Sequence, residues 1–187
     1  MKLKQINAAV GLLSCLCMLA HMGYTVGAYI AYYYNPFLLK LFSVPFIALV
    51  CIHSILGMLT VFLQNDGGRL DLYPKQNIRT ILQRVSAALI FPLLILHINT
   101  FSLMRSSSES GNKAVIVLLI LVEILFFAAI ETHVAVSFTN GFITLGMLTS
   151  RELQKKIDRV IYILGALSYL IAVYAVVKTQ AGMFLIN

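Results

Sequence analysis

Long apolar runs separated by short polar stretches divide the chain into five segments, at about 6–33, 37–63, 81–103, 114–147 and 160–177. The hydrocarbon core of a bilayer is about 30 Å thick and is crossed by roughly 20 apolar residues in helical form. Each of the five segments is long enough to cross as a helix. The pattern therefore predicts an all-α fold, an integral membrane bundle of five transmembrane helices in a single unit covering residues 1–187. The first segment follows Lys2 and Lys4 as a secretory signal would, but its apolar run is too long for a signal h-region and it is read as a span.

Composition agrees with the membrane class. Of 187 residues 60% are hydrophobic and 11% charged, and the mean hydropathy is +0.90, outside the range of soluble domains. The polar residues fix the expected topology. With the N-terminus cytoplasmic, the inner ends carry Lys2, Lys4, Arg69, Lys75, Arg79, Arg84, Arg151, Lys155, Lys156 and Arg159, and the outer ends only Lys40, Arg105, Lys113 and Lys178. Ten basic residues against four place the N-terminus inside and the C-terminus outside. The net charge of +7 is thus a signature of topology, and nothing supports nucleic-acid binding. The inner stretches 64–79 and 149–159 form a cytoplasmic face, read either as a docking surface for a soluble partner or as solvated loop.

Punctuation within the spans is specific. Span I ends in Tyr32-Tyr33-Tyr34-Asn35-Pro36, an aromatic belt and helix stop. Span II contains Pro45, and span III has Pro92 five residues before His97, where a bend is expected. Span IV is the longest and must tilt or project. Cys15, Cys17 and Cys51 all lie within spans and form no chelating or haem-attachment motif, so they read as small buried residues. There is no phosphate-binding glycine loop, nucleophile elbow or zinc-type spacing.

The four histidines carry the chemistry. His21, His53, His97 and His133 fall one in each of the first four spans and none in a loop. An ionisable side chain inside a membrane is costly and marks a functional site by default. At a rise of about 1.5 Å per residue, His97 lies roughly 20 Å from Arg84 and His21 roughly 25 Å from Lys4, both in the outer half. His53 lies about 21 Å from the outer edge and His133 about 30 Å from Lys113, both in the inner half. Two pairs at two depths suit bis-histidine ligation of two haems, which leaves no open iron position and favours electron transfer. Proton relay and structural polar contacts are the alternatives.

With those residues in view, the chain resembles the dihaem cytochrome b subunit of succinate:quinone oxidoreductases, including quinol:fumarate reductases with a five-helix anchor. The resemblance is carried by the segment from Gly11 to His21 and Met22, by Ile52-His53-Ser54-Ile55-Leu56-Gly57, by Leu82-Gln83-Arg84-Val85-Ser86 with His97 beyond it, and by Glu131-Thr132-His133. It covers four of the five spans in order. It implies two haem b groups, the outer held by His21 and His97 and the inner by His53 and His133. It further implies an iron-sulfur subunit and a flavoprotein subunit at the cytoplasmic face, membrane quinone, in particular menaquinone, as the redox partner, and a dimer of complexes in the cytoplasmic membrane of a prokaryote. This chain would perform no dicarboxylate chemistry itself.

Glu131 occupies the position associated, in some fumarate reductases of that family, with transmembrane proton transfer; a structural acid is the alternative, and Glu123 could extend a proton path. Arg84, by charge and depth, is a candidate contact for a haem propionate or a quinone carbonyl, with a positive-inside anchor as the other reading. The sequence departs from the family at Ala87, where glycine is common, and at Phe37 to Lys40, which lack the acidic residue tied to menaquinol oxidation in some relatives. In other relatives the fourth ligand stands about one turn after His133, where this chain has Val136 and Ser137. Two other classes compete: a cytochrome b of another respiratory enzyme, such as a hydrogenase or formate dehydrogenase, and a haem-free proton-coupled transporter.

Overall fold

A computed structural model describes residues 2–64 and 74–186, with the side chains of 64 and 74–77 excepted. The chain forms five long α-helices, α1 (Leu3–Ala31), α2 (Pro36–Gln64), α3 (Pro74–Glu109), α4 (Lys113–Thr144) and α5 (Arg151–Ala181), followed by one π-helical turn (Gly182–Ile186). All five are long and apolar enough to cross a membrane. The greater part of the loop assigned to the cytoplasmic face, residues 65–73, lies outside the described residues.

Helix α3 continues on both sides of 81–103 and α5 begins at Arg151 rather than at 160, whereas α1 and α4 stop at Ala31 and Thr144, short of 33 and 147. The longest helix is α3 with 36 residues and not α4 with 32. The apolar run reports the thickness of the hydrocarbon, whereas backbone hydrogen bonding carries a helix on into the polar zone until a cap stops it. Those caps are local and readable. The Asn35 side chain accepts from the backbone N–H groups of Phe37 and Leu38 at 3.0 and 3.2 Å, ahead of Pro36 in the first helical position of α2. The Tyr24 hydroxyl donates to the carbonyl of Asn35 and accepts from its N–H, both at 2.9 Å, pinning the α1–α2 turn back onto α1. Asn112 caps α4 through the N–H of Val115, and Ser150 caps α5 through that of Leu153, each at 3.3 Å. Gly111 and Gly146, with φ of 71° and 76°, make the left-handed turns out of α3 and α4. Both α2 and α3 run on through their internal prolines, Pro45 and Pro92.

Helix α4 is the centre. It packs on α3, α5 and α1, while α2 packs closely only on α1. Its buried residues, including Ile116, Leu119, Ile120, Phe126, Ala129 and Val136, spread along its whole length. A helix that is apolar on every side is built to be surrounded. Met104, Ile116, Leu119 and Ile120 form one cluster, against which Phe184 and Leu185 of the terminal turn close, and Leu93, Phe126 and Ala129 form a second. The arrangement amounts to a pair α1·α2 set against a pair α3·α4, with α5 along α4 and α1. Space between the two pairs is bridged by side chains, and the histidines lie there.

Candidate functional site

The structure brings the histidines together two by two. His53 on α2 and His133 on α4 face each other with ring centroids 6.2 Å apart and planes at 70°. His21 on α1 and His97 on α3 line one cavity of about 310 Å³, whose wall also includes Ser43, Phe46, Glu123, Phe126 and Gln180. Phe46 stacks on His21 at 5.6 Å and Phe126 on His97 at 4.7 Å, holding both rings from the side. Each level takes one histidine from α1·α2 and one from α3·α4.

Every ring is also tied through Nδ1 to the other helix of its own pair. His53 Nδ1 lies 3.2 Å from the backbone carbonyl of Asn7, and His133 Nδ1 lies 3.1 Å from that of Gln83. A carbonyl only accepts, so both rings carry the proton on Nδ1. His97 Nδ1 lies 2.7 Å from a carboxyl oxygen of Glu123. His21 Nδ1 lies 3.1 Å from the Ser43 hydroxyl, whose own proton goes to the Leu39 carbonyl at 2.6 Å, so Ser43 accepts from the ring. Ser86 repeats the device: it sits 3.2 Å from His133 Nδ1 and donates to the Leu82 carbonyl at 2.6 Å. The Nδ1–H groups of His21, His53 and His133 leave three Nε2 lone pairs, and His97 offers a fourth when Glu123 is the acceptor. That is the arrangement in which a ligating histidine is oriented by an outer partner.

The chemistry of this donor set, two neutral imidazoles facing each other, is that of paired axial ligands to a metal ion. Metal–imidazole bonds of about 2.0–2.1 Å on either side of an ion place the two rings about 6 Å apart, the spacing seen in the inner pair. Gly11 adds a cradle, since a Cβ there would come within 2.8 Å of the His53 ring. Among the described residues no three His, Cys, Asp or Glu side chains converge on a single point.

Of the other candidates, Glu123 and Glu131 share the outer cavity with His21 and His97. Glu131 faces α5: it accepts from the Ser168 hydroxyl, and a Cβ on Gly165 would stand 3.1 Å from its other oxygen. It lines both the outer cavity and a groove between α4 and α5 bordered by Tyr162 and Tyr169. Glu123 pairs with His97 and lines the same outer cavity as Glu131. Arg84 is half-buried and makes no hydrogen bond or ion pair among the described residues. Ala87 is exposed, and Val136 is buried with its carbonyl bound by Arg79 at 2.7 Å.

Two features escape sequence reasoning. Asn7 and Ser43 orient histidines on a neighbouring helix, and nothing in local spacing announces a contact across helices. Arg79 forms a bidentate pair with Asp158, both contacts at 3.0 Å, while Thr139 accepts from Arg79 at 2.6 Å and donates to Asp158 at 2.7 Å. This network joins α3, α4 and α5. The sequence signal is slight: Asp158 is one of two acids, with Glu152, among the four basic residues at the start of α5.

No family model, no curated protein and no solved structure matches the chain.

Proposed function

We propose that the chain is a dihaem cytochrome b that anchors a succinate dehydrogenase or fumarate reductase complex and passes electrons between its iron-sulfur subunit and membrane quinone. The observation that carries this reading is that all four histidines of the apolar helices are anchored through Nδ1 to the other helix of their pair, two by two. His53 and His133 would hold the inner haem b, and His21 and His97 the outer one. Haem b, when bound, supplies reversible one-electron chemistry. The protein's part is to hold the imidazoles rigid, to exclude water with Phe46, Phe126 and their neighbours, and to leave no position for dioxygen. Arg84, with no partner among the described residues, is available to a propionate or a quinone carbonyl. Glu131, which lines both the outer cavity and the α4–α5 groove, would hold the proton in this reading. The orientation is N-terminus inside, with the iron-sulfur and flavoprotein subunits at the inner face of a prokaryotic cytoplasmic membrane.

The test is a dithionite-reduced minus oxidised spectrum with a pyridine haemochrome count, on the wild type and on His21→Ala, His53→Ala, His97→Ala and His133→Ala. Two b haems are expected, with His53→Ala and His133→Ala losing the same one and His21→Ala and His97→Ala the other. A folded preparation without haem overturns the reading in favour of a proton-coupled transporter.

A further inference from the structure

The four histidine anchors are not alike. His53 and His133 donate to backbone carbonyls and His21 to a hydroxyl, all neutral oxygens, whereas His97 Nδ1 shares its hydrogen bond with the Glu123 carboxyl group at 2.7 Å. Glu123 is 1% exposed, on the central helix α4, in a position where a hydrophobe would pack without the desolvation of a carboxyl. Its second oxygen, Oε1, is buried and has no hydrogen-bond partner among the described residues. Among the described residues its one polar contact is the His97 ring, so its role is to be sought there.

We propose that Glu123 is a positioning residue for the outer pair, which locks His97 in the Nδ1–H form and makes it the most electron-rich of the four imidazoles. A hydrogen bond to a carboxylate is roughly twice as strong as one between neutral groups. Such a partner orients the ring and raises its basicity as a ligand. A more basic imidazole favours the oxidised over the reduced state of the iron it holds, so Glu123 lowers the potential of the outer haem and leaves the inner one alone. The second step rests on the dihaem reading above; the first concerns the ring alone.

Two readouts separate these steps. Imidazole ¹⁵N spectra of the labelled full chain report the tautomer of His97 whether or not haem is present, and redox titration of the purified protein reports each haem. Glu123→Gln keeps an acceptor without the charge. It is expected to keep the Nδ1–H tautomer and to shift one haem about tenfold in its oxidation–reduction equilibrium, about 59 mV upward for one electron. Glu123→Leu is expected to release the tautomer as well. Ser43→Ala, which removes a neutral partner from the other outer ligand, should move the same haem less. Unchanged potentials in Glu123→Gln, or a His97 tautomer indifferent to Glu123→Leu, overturn the proposal. A fixed tautomer in a folded protein devoid of haem upholds the positioning role and instead overturns the cytochrome reading.

Discussion

Gly11 of α1 lies directly against the imidazole of His53 on α2, where a Cβ would stand 2.8 Å from Cε1 and 3.0 Å from Nδ1. The ring cannot swing away freely, because the Asn7 carbonyl holds its Nδ1. Gly11→Ala is therefore expected to push His53 out of register with His133. Overpacking of this kind costs about 1–3 kcal/mol. In thermal unfolding in detergent the variant should melt earlier, and it should lack the haem that His53→Ala lacks while keeping the other. Wild-type melting together with a full haem complement would show that the contact relaxes at no cost.

The clamp of Arg79, Asp158 and Thr139 makes a prediction about stability rather than chemistry. The Arg79 and Asp158 side chains are 23% and 14% exposed, so the pair is partly desolvated. Removing one member strands the other; for fully buried pairs that costs 3–5 kcal/mol, and the residual exposure here brings it to about 2 kcal/mol. Asp158→Asn and Arg79→Met should each destabilise the bundle by that order, and the double variant by less than their sum. Helical circular dichroism against denaturant measures all three. Strict additivity would mean that the two side chains do not act together.

The division between what could and could not be read in the chain follows from the range of each interaction. Five apolar runs demand five helices because the bilayer admits no other solution for isolated segments, and the caps Asn35, Asn112 and Ser150 are local signals. The pairing of His53 with His133 and of His21 with His97 was legible because depth along a straight helix is simple arithmetic. The partners of the Nδ1 atoms were not, since the rotation of one helix about its axis against another depends on packing of all five. Glu123 illustrates the difference: it was visible as an intramembrane acid, but its partner lies 26 positions away on α3. Gln83 and Ser86 stood in a motif already singled out, yet only the packing of α3 on α4 shows that both serve His133.

Topology gives a prediction independent of haem. With the ten basic residues of one side facing the cytoplasm and the four of the other facing out, Ser108 would lie outside and Glu152 inside. Both are exposed. The three cysteines are unpaired and only half-buried, so they can be replaced by alanine. In that background, a membrane-impermeant maleimide added to intact cells should label Ser108→Cys and not Glu152→Cys, and broken membranes should label both. The reverse pattern would invert the bundle and move any soluble partner to the opposite face.

The register of the fourth ligand can be decided within one turn of α4. His133 faces His53 and is anchored by Gln83 and Ser86. One turn on, Val136 offers only a carbonyl, which is taken by Arg79 and Asn140. Ser137 has a buried hydroxyl without a partner, a poor iron ligand beside a neutral imidazole. Loss of one haem is accordingly expected in His133→Ala and not in Ser137→Ala. Ser86→Ala provides the intermediate case: the Gln83 carbonyl still holds Nδ1, so that haem should remain bound, with its midpoint potential or spectrum altered. If Ser137→Ala lost the haem and His133→Ala kept it, the inner pair would have to be rebuilt with α4 turned by about 40°, the angle left over when four residues are wound at about 3.6 per turn. Such a rotation would also break the contact between Arg79 and the Val136 carbonyl, so the haem count and the stability of the α3–α4–α5 clamp test the same placement of α4 from its two faces.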